Sequence, residues 1–98
     1  ASERRLAALA DPVLAGTIER IKKRAARGTW LMMGGGGYAV KVFNDDINQL
    51  AATMAAMPSD EQEAMRQYLR THIDLSAGIS LNPQWKQLMD KLRALVGF

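Results

Sequence analysis

The sequence predicts a predominantly helical α+β domain: four to five short helices with a small β-hairpin or extended segment around residues 29–43. Three observations carry this reading. Apolar residues recur at helical spacing through most of the chain, cap-forming residues stand where those stretches begin, and the period breaks at four consecutive glycines, Gly34 to Gly37. Glycine has no Cβ and loses the most backbone freedom on ordering. Four in succession therefore mark either a hinge or a backbone path that only glycine follows.

From the N-terminus, Ser2 caps a short helix over Glu3–Ala10, and Asp11-Pro12 restarts the chain as an N-cap followed by a first-turn proline. The next helix runs from about Pro12 to Arg27 and stops at Gly28. On its wheel, Leu14, Ile18, Ile21 and Ala25 fall within about 60°, a narrow apolar seam, while Arg20, Lys23, Arg24 and Arg27 occupy a separate arc about 100° wide. Beyond Thr29, Tyr38, Val40 and Val42 alternate with Ala39, Lys41 and Phe43, which suits a strand. Trp30–Met33 would pair with it around the glycines, or remain helical with the glycines as a stop.

Asn44, Asp45 and Asp46 offer N-caps for a helix whose apolar stripe is Ile47, Leu50, Ala51, Met54 and Met57, ending before Pro58. Ser59 and Gln62 have capping-box spacing, and the helix they open runs to about Asp74 with Met65, Tyr68, Leu69, His72 and Ile73 on one side. The three-residue link Met57-Pro58-Ser59 makes these two helices an antiparallel-like pair or a sharp corner. Asn82-Pro83 starts the last helix, where Trp85, Leu88, Met89, Leu92, Leu95 and Val96 recur at offsets 0, 3, 4, 7, 10 and 11. The expected core is Leu14, Ile18, Ile21, Ile47, Leu50, Met54, Met65, Leu69, Ile73, Trp85, Leu88, Leu92 and Leu95.

Ninety-eight residues make one domain in three parts: a basic helical part over 1–28, a glycine-centred hairpin or hinge over 29–43 and a helical remainder over 44–98. The net charge of +3 is unevenly placed. Residues 1–30 hold seven Lys/Arg against three Asp/Glu, and residues 31–98 hold six against seven. The absence of cysteine removes disulfides, thiolate nucleophiles and thiolate metal sites. The longest uncharged segments are thirteen residues, short of the roughly 18 that a membrane span needs. The N-terminal residues do not read as a secretory leader. A soluble chain is expected, with the cytoplasm the favoured compartment.

The candidate chemistry is sparse. Gly34-x-Gly36-x-x-Ala39 fits a loose dinucleotide fingerprint, but that loop must open into a helix, and strand-like residues follow. His72, the one histidine, is expected to be packed or partly buried on the apolar side of its helix. The acidic groups Asp45-Asp46 and Asp60, Glu61 and Glu63 are expected as caps and as partners of helix dipoles. No known family is recognised from the motifs, and neither a cofactor nor a metal site is read.

Function is therefore expected to be non-enzymatic. The leading expectation is an interaction module that meets a protein partner or a second copy of itself. Its contact would be an apolar surface rich in methionine and tryptophan, together with a loop of Gly34, Gly35, Gly36, Gly37 and Tyr38. The alternative is a small basic nucleic-acid-binding protein using Arg20, Lys23, Arg24 and Arg27. A small enzyme using Lys41, His72 or the acidic clusters is a third class.

Overall fold

The computed structural model describes residues 10–26, 36–75 and 83–97. They form four helices: α1 (Pro12–Ala26), α2 (Gly36–Ala55), α3 (Ser59–His72) and α4 (Pro83–Val96). Among the described residues there is no strand. The helical character is as the sequence predicts, but the α+β class with its β-hairpin is not. Tyr38–Phe43, expected as a strand, lies within the first half of α2. Residues 3–9 of the expected first helix, the glycines Gly34 and Gly35, Arg27 and Trp30–Met33 lie outside the described residues.

Tertiary packing explains the correction. Six residues of alternating pattern fit a strand, yet Val40, Phe43, Ile47, Leu50 and Met54 also form one continuous helical stripe across the supposed boundary. Phe43, Ile47 and Leu50 are fully buried in that stripe, and Val40 packs against it. Burial of a contiguous apolar face outweighs the helix-disfavouring β-branched valines and the two glycines at the start, Gly36 and Gly37. Asn44, Asp45 and Asp46 consequently sit in the middle of a helix and cap nothing. Asp45 pairs instead with Lys41 one turn back at 3.5 Å, and Asn44 accepts from Lys91 of α4 at 3.4 Å.

The other helix ends follow local chemistry. Asp11 caps α1 through its Oδ1, which accepts the Val13 N–H at 2.9 Å. After α2, the Met57 N–H closes a tight turn onto the Met54 carbonyl at 3.0 Å, and Pro58 prevents continuation. The capping box at the start of α3 does not form. Pro58 holds the cap position with no side-chain bond, Ser59 is already helical, and Gln62 Nε2 donates to the Met57 carbonyl at 3.0 Å. At the end of α4, Gly97 turns the chain at φ +73°, the left-handed conformation that favours glycine. Arg70 of α3 donates to the Val96 carbonyl there, placing a cation on the negative end of α4.

The core is continuous across all four helices. Trp85 stacks on Phe43 with ring centroids 4.7 Å apart, joining α4 to α2. Met65 and Leu69 of α3 and Leu88, Met89, Leu92 and Val96 of α4 fill the remainder. Of the expected core, Leu95 alone is only partly buried, while Phe43, Ala25, Leu75, Met89 and Val96 join it. α1 packs chiefly on α2, and α4 lies against both α2 and α3. No helix among the described residues is long and apolar enough to cross a membrane.

Candidate nucleic-acid interface

The polar interior of the molecule is small and concentrated. Among the described residues, the buried polar side chains are Thr17 of α1 and Asp46 of α2, and both converge on Arg20. Arg20 Nε donates to Asp46 Oδ2 at 3.1 Å and Nη2 to Oδ1 at 3.2 Å, a two-pronged grip. The same Nη2 donates to Thr17 Oγ1 at 3.2 Å, and that hydroxyl in turn donates to the Val13 carbonyl at 3.0 Å. Arg24, one turn on, reaches Asp46 Oδ2 through Nη1 at 3.5 Å. The hydrogen bond to Asp46 raises the Arg20 pKa above its ordinary value. Desolvation opposes that rise, and the carboxylate's charge adds to it.

This cluster lies where the two helices meet. Asp46 falls about 40° from Leu50 on the α2 wheel, at the edge of the apolar stripe, so it faces α1 without entering the core. Arg20 lies on the arc of α1 flanking its buried seam and folds back over the preceding turn, the usual lean of a helical side chain. Half of the Arg20 side chain remains exposed, against 23% for Arg24 and 11% for Asp46. Lys23, on the same arc, and Lys22, beyond it, are exposed and bond no partner among the described residues. One carboxylate thus serves two guanidiniums, and the face keeps a positive excess.

The other candidates separate. Tyr38 is exposed, at 77%, near the start of α2 and away from the core. His72 is exposed rather than packed. Its ring stacks on Tyr68 at 3.9 Å, and Nδ1 lies 2.8 Å from the Tyr68 carbonyl. A carbonyl only accepts, so Nδ1 carries the proton in that contact. Two further carboxylates meet cations: Glu63 pairs with Arg66 and Arg70, and Asp90 with Lys86 and Arg93. Among the described residues no three His, Cys, Asp or Glu side chains come together in a way that could hold a metal ion.

Among the described residues, the methionines and tryptophan expected at the surface are internal. Met54, Met65, Met89 and Trp85 are core residues, and Met57 packs against them. Trp30, Met32, Met33 and Phe98 lie outside the described residues. The glycine fingerprint also changes standing, because α2 opens at Gly36 and a helix does follow. The parallel strands that a dinucleotide fold requires are nonetheless absent among the described residues. Comparison with known protein families, characterised proteins and solved structures finds no match to this chain.

Sequence reasoning placed Arg20, Lys23 and Arg24 on one arc of α1 but did not bring Asp46 and Thr17 to that arc. The register that would have shown Asp46 beside the core begins at Phe43, and reading Tyr38–Phe43 as a strand concealed it.

Proposed function

We propose that this protein is a non-enzymatic binding domain whose α1 face, built on Arg20, Lys23 and Arg24, holds the phosphate backbone of a nucleic acid. The observation that supports it most is the sharing of the single Asp46 carboxylate by Arg20 and Arg24. The carboxylate holds both side chains in place and neutralises only one of them. Lys23 adds an exposed charge on the same arc, and Arg27 continues that arc in the sequence. Each cation that meets a phosphate releases a condensed counterion, so such a face binds without reading bases and weakens steeply with salt.

Two anionic alternatives fit the face less well. A helix that lies on a membrane inserts its apolar side, whereas the apolar side of α1 is the core of the domain. A stable protein interface centres on buried aromatic or aliphatic anchors, and this arc carries only Val13 as an exposed large apolar residue.

The test is fluorescence anisotropy with a single-stranded RNA and a duplex DNA at low salt, about 50 mM, comparing wild type with Lys23→Gln. Micromolar binding is expected, with Lys23→Gln binding several-fold more weakly. Its slope of log affinity against log salt on the duplex should be shallower by about 0.9. Absence of binding at low salt, or equal binding by Lys23→Gln, contradicts the proposal. Binding to anionic vesicles but to neither nucleic acid would also contradict it.

Tyr38 supports a second reading, in which a protein partner or a second copy meets the segment Gly34–Gly37 and Tyr38. A large aromatic ring left 77% exposed beside glycines offers a docking point. Sedimentation of wild type and Tyr38→Ser tests it. Self-association lost in the variant supports this reading, and a wild-type monomer removes the second copy as the partner.

A further inference from the structure

We infer that Asp46 is a positioning residue of the phosphate-binding face, holding the Arg20 guanidinium by Nε and Nη2 and leaving Nη1 for a phosphate. The inference rests on the nucleic-acid reading above and names the residue through which that face is organised. Asp46 takes Nε and Nη2 of Arg20, and Thr17 takes Nη2 as well, so the plane of the guanidinium is fixed on two sides. Nη1 lies over Gly16, 3.5 Å from where a Cβ on that residue would stand, and bonds no partner among the described residues. Half of the side chain stays exposed. An unrestrained arginine loses rotamer freedom when it grips a phosphate; this one has lost much of it already.

The placement of the polar groups separates this role from simple helix pinning. A carboxylate used only to join α1 to α2 could sit on any pair of facing positions. Here the two buried polar side chains among the described residues both serve the one cation on the arc that is held yet half exposed. A buried ion pair also contributes little stability beyond what packed apolar groups of the same size would give.

Positioning and net charge predict opposite signs for one substitution. Asp46→Asn removes a negative charge beside the face, so charge alone predicts tighter nucleic-acid binding. Positioning predicts weaker binding, because asparagine keeps the size but loses the charged two-pronged grip. Anisotropy with a fluorescent single-stranded RNA is measured for wild type, Asp46→Asn and Thr17→Val, with folding followed by circular dichroism. Both folded variants are expected to bind several-fold more weakly than wild type, Thr17→Val with its charge unchanged. Arg20→Lys is expected to weaken binding in the wild-type background and to have little further effect beside Asp46→Asn, a coupling that loss of stability alone does not produce in folded proteins.

A folded Asp46→Asn variant that binds as tightly as wild type, or more tightly, overturns the positioning role and leaves the nucleic-acid reading standing. Absence of binding by wild type overturns that reading, and the positioning role with it. Where Asp46→Asn fails to fold, Thr17→Val decides, and unchanged affinity in that variant overturns the inference.

Discussion

Asp46 is only 11% exposed as a side chain, and its two cationic partners come from a different helix. Its loss would leave two guanidiniums facing each other across a partly desolvated gap. Asp46→Ala is therefore expected to lower stability by about 1–3 kcal/mol, between the values for exposed and fully buried pairs. A urea titration checks this, and an unchanged midpoint would show that the pair adds nothing to the fold. Trp85 tests the apolar side of the same junction. Buried and stacked on Phe43, it is expected to cost about 3–5 kcal/mol when cut to alanine. With Trp30 replaced by phenylalanine, its fluorescence should also report unfolding directly.

At the scale of the element, α2 is where sequence and structure part. The alternation from Tyr38 to Phe43 is too short to separate a strand from a helix, and the polar trio Asn44–Asp46 read as a fresh start. What decides between them lies elsewhere in the chain: Trp85, Lys91, Arg20 and Arg24 provide the partners for Phe43, Asn44 and Asp46. Local propensity could not show those partners. By contrast, α4 was legible almost whole, because its stripe spans three turns and Pro83 fixes its start. Asp45→Ala separates the two accounts of α2. A mid-helix aspartate paired only with exposed Lys41 should change stability by no more than about 0.5 kcal/mol, whereas an N-cap would cost about 1 kcal/mol. At the far end of α4, Gly97→Ala should destabilise by about 1–2 kcal/mol, because the position holds a left-handed backbone that a Cβ disfavours, and the added Cβ would meet Arg70 Nη1 at 3.0 Å. Thermal melts of the two variants check both expectations.

Over the whole molecule, the described helices spend their apolar side chains on one another and leave a charged exterior. Met54, Met65 and Met89 belong to the core and Met57 packs against it, because irregular helix contacts accept an adaptable side chain. The basic arc of α1 was visible in the sequence, since it needs only helical periodicity. Its anchoring by Asp46 and Thr17 was not, since that depends on which face of α2 comes to rest against α1. Titration of labelled protein with a single-stranded RNA, followed by backbone and arginine side-chain NMR signals, tests the central claim most directly. The account predicts shifts concentrated on Gly16, Arg20, Lys23 and Arg24 of α1 and on Asp46 beneath them, fading as salt is raised. Shifts centred on α3 and α4, or no shifts at low salt, would contradict it.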